Sequence, residues 1–289
     1  MALVPSMWTA IFVEASPSDA LAMLGRQGWP AVEVSTEHAD MMREDKSLLE
    51  PFAAAAREYG IALEQMHSYI QADVANLDAD RREHDIEAVI GDLESCARLG
   101  IPVAVIHPGG HGEIAGRGQV ATRDHLQQVT GLRLQSFARL GAVCAELGVK
   151  LAVENVVDYG KGVHGPRRFG AIVEELLELC DQAAPEALGI CLDTSHANWQ
   201  GLNIPEAIRL CGDKLGALHI SDNHGTWDDH LIPGYGQIEW GPVISALREI
   251  GYDRPFNLEV PGARKGDVSL LALRSKHALE VCEQLLREN

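Results

Sequence analysis

Residues 188–219 read LGICLDTSHANWQGLNIPEAIRLCGDKLGALH, and this stretch sets the fold. Two short apolar runs, 188–193 and 215–219, enclose a helical-period segment at 204–211. Strand, helix and strand in that order make the repeating unit of an α/β protein with parallel strands. The unit recurs along the chain. Strand-like runs occur at WTAIFVE (8–14), AVEV (31–34), IALEQMH (61–67), VAVIHP (103–108), KLAVEN (150–155), LGICLD (188–193), LGALHIS (215–221) and FNLEV (256–260). Helical-period segments lie at 18–27, 46–59, 81–99, 123–147, 167–181, 204–211, 242–250 and 268–287, and Gly60, Gly100, Gly148 and Gly251 close four of them. Eight β-α units with no domain-sized interruption predict a (β/α)8 barrel occupying residues 1–289 as one domain. An open doubly wound sheet would stop at about five or six strands.

Composition narrows the function before any motif does. Acidic residues outnumber basic ones 42 to 24, a formal net charge of -18. Nucleic-acid binding relies on Lys and Arg to neutralise phosphates, so this balance argues against a DNA or RNA partner, and likewise against an anionic membrane surface. The pairs Arg81-Arg82 and Arg167-Arg168 read as solvated surface. No apolar run reaches the roughly 20 residues of a membrane span. Six cysteines are scattered without a CxxC pair, which reads as buried thiols in a reducing, cytoplasmic compartment. The start, MALVPSMWTAIFVEAS, lacks a basic leader and meets Glu14 early, so a first core strand is expected there rather than a signal peptide.

In a barrel the C-terminal strand ends converge on one mouth. The sequence places His67, His107, Glu154, Asp193 with His196 just beyond, His219 and Glu259 at those ends. The stretch LHISDNHGTWDDHLIPGYGQIEW (218–240) adds Asp228 and His230, with His224 and Asp229 expected to face solvent. A lone strand-end histidine is ordinary scaffold, and a lone carboxylate usually caps the next helix. Six of eight strands ending in metal-capable side chains is a pattern neither habit explains. Glu154, Asp193, His219 and Glu259 form the smallest metal set. Three carboxylates and one imidazole suit one divalent ion, Mn²⁺ first, with Mg²⁺, Co²⁺ or Zn²⁺ as alternatives. No GxGxxG turn follows the first strand, which removes the dinucleotide-binding variant, and GGHGEIAGRG (109–118) reads as a flexible loop over the mouth.

With QMHSY (65–69), VIHPGG (105–110), AVENV (152–156), GICLDTSHA (189–197), HISDNHGTWDDHLIPGYGQIEW (219–240) and NLEV (257–260), the chain resembles the xylose-isomerase-like barrel superfamily over nearly its whole length. That group holds sugar phosphate isomerases/epimerases, ketose 3-epimerases and the endonuclease IV type of apurinic endonuclease. The resemblance implies Glu154, Asp193, His219 and Glu259 as metal ligands, with Glu154 and Glu259 doubling as acid and base. It implies substrate contacts from His67, His107, His196, Asp228 and His230. One departure is Gly225, where ketose epimerases commonly carry an arginine six residues after the metal histidine; orientation of the sugar then falls to His196 and His230. The other points elsewhere: the same nine residues match the ligand set of the trinuclear endonuclease.

Net charge chooses between these readings, since a protein at -18 is poorly equipped to grip a DNA backbone. The expected activity is a metal-dependent sugar isomerase or epimerase that removes a proton next to a carbonyl and passes through a metal-stabilised enediolate. A trinuclear zinc phosphodiesterase and a lyase on oxidised glycosides are the alternatives. The expected partner is a small-molecule sugar or sugar derivative, without nucleic acid or membrane, and a homo-oligomer is compatible with the sequence. Trp199 and Trp227 lie in mouth loops, where they either stack on a sugar or pack under a loop.

Overall fold

The computed structural model describes residues 3–110, 123–158, 168–263 and 265–289. Its strands are β1 (Pro5–Trp8), β2 (Ala31–Val34), β3 (Ala62–His67), β4 (Val103–Ile106), β5 (Lys150–Glu154), β6 (Leu188–Asp193), β7 (Leu215–His219) and β8 (Phe256–Leu258). They form one parallel sheet in the order β7-β6-β5-β4-β3-β2-β1-β8. Its two ends meet, because the Ile220 amide donates to the Asn257 carbonyl at 2.8 Å and the Glu259 amide to the Ile220 carbonyl at 3.0 Å. The sheet is a barrel.

Around it run α1 (Pro17–Gln27), α2 (Thr36–Glu44), α3 (Leu49–Tyr59), α4 (Ala79–Leu99), α5 (Arg123–Leu147), α6 (Val173–Ala183), α7 (Thr194–Gln200), α8 (Ile204–Cys211), α9 (Trp240–Glu249) and α10 (Val268–Glu288). Their starts carry the expected chemistry: Ser16 caps α1 through the Asp19 amide, and Asp78 caps α4 through the Arg81 amide. The four glycines predicted as helix stops all take positive φ, between 66° and 71°.

Three expectations shift. The first strand is Pro5–Trp8, and Thr9–Phe12 is a 3-10 helix with all four residues buried. A buried turn is as apolar as a buried strand, so periodicity could not separate them. The helix expected over 167–181 starts at Val173; residues 169–172 are turn and bend, residue 168 is irregular, and residue 167 lies outside the described residues. The helices α2 and α7 went unpredicted because each follows directly on a strand and is short. Residues 111–118 of the expected mouth loop also lie outside the described residues.

Strand alternation sorts the side chains. Ala104, Ile106, Leu151, Val153, Ile190, Leu192 and Leu218 pack outward in the main core between sheet and helices. Val103, Val105, Ala152, Cys191 and Ala217 form a separate small cluster inside the barrel. The inward parity of β5, β6 and β7 then ends on Glu154, Asp193 and His219, which puts ligand-type groups at the mouth above a floor of small apolar side chains. All six cysteines are unpaired and buried. Among the described residues no helix is long and apolar enough to cross a membrane.

Candidate metal centre

Glu154, Asp193, His219 and Glu259 converge. One ligand atom from each lies within 4.8 Å of the others, and all four residues are buried. Among the described residues, Glu154 Oε2, Asp193 Oδ2, His219 Nδ1 and Glu259 Oε2 each lack a hydrogen-bond partner. His219 Nδ1 stands 3.3 Å from both Glu154 Oε1 and Glu259 Oε2, near enough for attraction but not aligned as a hydrogen bond. Buried polar atoms are normally satisfied. Four orphans of ligand type in one place, with histidines as the recorded ion-pair partners of these carboxylates, fit a bound cation.

The other five predicted residues stand around this quartet. His67 Nε2 and His107 Nε2 lie 3.3 and 3.4 Å from Glu154 Oε2, and the three form a second ligand-type group. Asp193, His196 and His230 form a third. Asp228 joins it, with Oδ2 at 3.2 Å from both His196 Nε2 and His230 Nε2 and Oδ1 accepting from Ser195 Oγ at 2.7 Å. Glu154 and Asp193 are each shared between two groups.

Outer partners orient the rings. The Nδ1 of His67, His196 and His230 faces the backbone carbonyls of Ser68 (2.8 Å), Asn155 (2.7 Å) and Glu259 (3.0 Å), which leaves Nε2 toward the cluster. Asn155 also clamps the ends of β5 and β6, its Oδ1 accepting from the Asp193 amide at 2.7 Å. Sequence reasoning missed Asn155, and it missed Glu33, which is fully buried on β2 with Oε1 2.9 Å from His219 Nε2. A charged residue inside the four-residue buried run AVEV was the available signal.

The electrostatics follow from this crowding. Burial alone would raise Glu154, but the imidazoles of His219, His107 and His196 outweigh it and hold the carboxyl well below its usual range. For Glu259 burial wins, pushing it up to about 8 despite His219 and His230. His196 and His219 rise well above the usual histidine value because neighbouring anionic groups overcome burial. A divalent ion would oppose the upward shifts of Glu259, His196 and His219 and reinforce the downward shift of Glu154, favouring carboxylates and neutral imidazoles.

At the rim, Gly225 stands where the ketose-epimerase resemblance expects arginine. Its φ is +72°, a left-handed backbone that a side chain would strain, and a Cβ there would have to displace the end of the Gln237 side chain. His224 is exposed as expected, whereas Asp229 is half-buried. Trp227 is 60% exposed and Trp199 only 7%, with ring centroids 5.5 Å apart.

The family model for the xylose isomerase-like TIM barrel matches residues 21–285. A probable endonuclease 4 of Methanoculleus marisnigri is 31% identical over 79% of this chain and 82% of its own length. A D-psicose 3-epimerase of Enterocloster bolteae is 37% identical over 27% of this chain and 25% of its own. Across the curated relatives first matched, the chain spans from a quarter to about two thirds of their length. The solved D-psicose 3-epimerase of Clostridium cellulolyticum H10, with D-tagatose, superposes with a TM-score of 0.80 over 99% of both chains at 18% identity, a likeness of fold.

Proposed function

This chain belongs to the xylose isomerase-like TIM barrel family, and we propose that it is a divalent-metal-dependent sugar isomerase or epimerase. The observation that carries the reading is the convergence of four orphaned ligand atoms, two of them on glutamates. Glu154, Asp193, His219 and Glu259 would hold one ion, Mn²⁺ first, with Mg²⁺, Co²⁺ or Zn²⁺ able to replace it. Bound there, the ion supplies Lewis-acid polarisation of a carbonyl oxygen and neutralises charge that develops on it. Glu154 on β5 and Glu259 just beyond β8 flank Asp193 and His219. One glutamate takes the proton from the carbon next to the carbonyl and the other returns one, which inverts that centre. His67, His107, His196, Asp228 and His230 surround the glutamates and bind substrate hydroxyls. With glycine at position 225, His196 and His230 orient the sugar. The substrate is a small sugar or sugar derivative, met in a reducing, cytoplasmic compartment that suits six unpaired cysteines.

The test is carbon-bound hydrogen exchange. Incubated in D₂O with Mn²⁺ or Co²⁺ and a panel of ketoses, aldoses, keto-glycosides and their phosphates, the protein should place deuterium next to the carbonyl of its substrate. Exchange should vanish in both Glu154→Gln and Glu259→Gln. A panel left wholly without exchange, or exchange that survives both changes, counts against the reading.

A specific observation favours a second reading, trinuclear phosphodiester hydrolysis: the two further ligand-type groups share Glu154 and Asp193 with the first. Net charge weighs against it. Elemental analysis separates the two, with one ion per chain for the first and about three zincs for the second, alongside cleavage of abasic-site DNA.

A further inference from the structure

His219 is oriented differently from its neighbours. His67, His196 and His230 each turn Nδ1 outward to a backbone carbonyl, but His219 turns Nε2 outward to a carboxylate, Glu33 Oε1. That ring reversal leaves Nδ1 as the ligand atom.

Behind the pair stands a buried relay across four strands. Asn257 Nδ2 donates to Glu33 Oε2, and Ser6 Oγ donates to Asn257 Oδ1 at 2.8 Å. Ser6, Glu33, His219 and Asn257 are all fully buried. The donor and acceptor roles leave one assignment. An ionised carboxylate only accepts, so Asn257 must face Glu33 with its amide nitrogen and His219 must carry hydrogen on Nε2. A carboxylate behind a metal-ligating imidazole fixes its tautomer and makes the inner nitrogen a stronger donor.

We propose that Glu33 is a positioning residue for the metal centre, an anionic anchor that locks His219 with Nε2 protonated and Nδ1 free for the ion, and that Asn257 and Ser6 hold the anchor in place. The inference rests on the metal reading above and adds a residue outside the ligand set.

Glu33→Gln tests the charge with little change of shape. The new amide oxygen can still accept from His219 if Asn257 turns its amide over and Ser6 accepts instead of donating, which a hydroxyl allows. The expected result is a folded protein whose affinity for Co²⁺ falls about 10–100-fold, read by chelator competition and by the visible absorption of the bound ion. Combining Glu33→Gln with Asn257→Asp moves the charge one residue back and should recover part of that affinity. Long-range ¹H–¹⁵N correlation on the metal-free parent, taken at a pH high enough that the His219 imidazolium has lost one proton, should show His219 as the Nε2–H tautomer, and Glu33→Ala should lose that preference. An Nδ1–H tautomer in the parent, or parental Co²⁺ affinity in both Glu33 variants, overturns the proposal. A parent that binds no Co²⁺ overturns the metal reading and the affinity claim with it, while the tautomer measurement still decides the anchor.

Discussion

Asp193 meets a structural and a chemical demand with one carboxylate. Its Oδ1 accepts from the His196 amide at 2.7 Å, capping α7, while Oδ2 is the orphan turned to the cluster. The ordinary use of a strand-end carboxylate and the proposed use as a ligand therefore coexist. Glu259 is less tied. It sits just past β8, is 6% exposed against 1% for Glu154, and burial pushes its carboxyl up to about 8. A group that exchanges protons with substrate needs access, and Glu259 has more of it than Glu154. Glu259→Gln keeps the shape and a neutral oxygen ligand but cannot take a proton. It should retain part of its bound metal and lower kcat by about 10²- to 10⁴-fold, the usual scale of acid-base assistance. Turnover close to the parent on a confirmed substrate would remove Glu259 from that role.

Among the elements, the long connection from β7 to α9 carries Asp228 and His230, and Asp222 holds it in place. This fully buried carboxylate accepts from the Asn223 amide (2.9 Å), the Gly234 amide (2.9 Å), the Ile238 amide (3.1 Å) and the Trp240 indole (3.1 Å). Its backbone also pairs with Leu231 in both directions at 2.8 Å. Asn at this position presents one acceptor oxygen and turns an amide nitrogen toward two of the donors. At about 1–3 kcal/mol for each of the two buried groups left unsatisfied, Asp222→Asn should cost roughly 2–6 kcal/mol and speed proteolysis within 223–239. An unchanged denaturation midpoint and digestion pattern would show that the brace is dispensable. Seven strands and most helices were legible in the sequence because their apolar periods are clean and glycines mark several ends. The first strand was not, since Ala10–Val13 is as apolar as a core strand while only Trp8 of the expected run belongs to β1. At the mouth, seven of the nine polar residues were legible because they end or closely follow a strand, whereas Asp228 and His230 were picked out by the density of histidine and aspartate in the stretch after β7. Glu33 and Asp222 were not, because their importance lies in hydrogen bonds to residues far along the chain or in a loop without periodicity.

At the scale of the whole molecule, the barrel concentrates charge it does not balance internally. Glu33, Glu154, Asp193 and Glu259 are buried together at the mouth of a chain whose net charge is already -18. Carboxylates removed from water whose ion-pair partners, among the described residues, are imidazoles are costly to bury. A cation held by the folded site and absent from the unfolded chain offsets that cost by mass action, about 4 kcal/mol when free ion stands at a thousand times Kd. At about 2–4 °C per kcal/mol for chains of comparable size, chelation should lower Tm by on the order of 10 °C, and Mn²⁺ or Co²⁺ should restore it. An acidic surface also attracts divalent ions loosely, so recovery in millimolar metal alone says little. The discriminating measurement is a titration near one ion per chain, repeated on His219→Ala. The parent should regain its Tm at stoichiometric metal, and the variant should need a large excess or fail to respond. If His219→Ala matches the parent, the stabilising ions sit on the acidic surface and the quartet is not the binding site. If the parent's gain continues until about three ions are bound, the groups around His67 and His230 fill as well, and the trinuclear reading takes the place of the single-ion one.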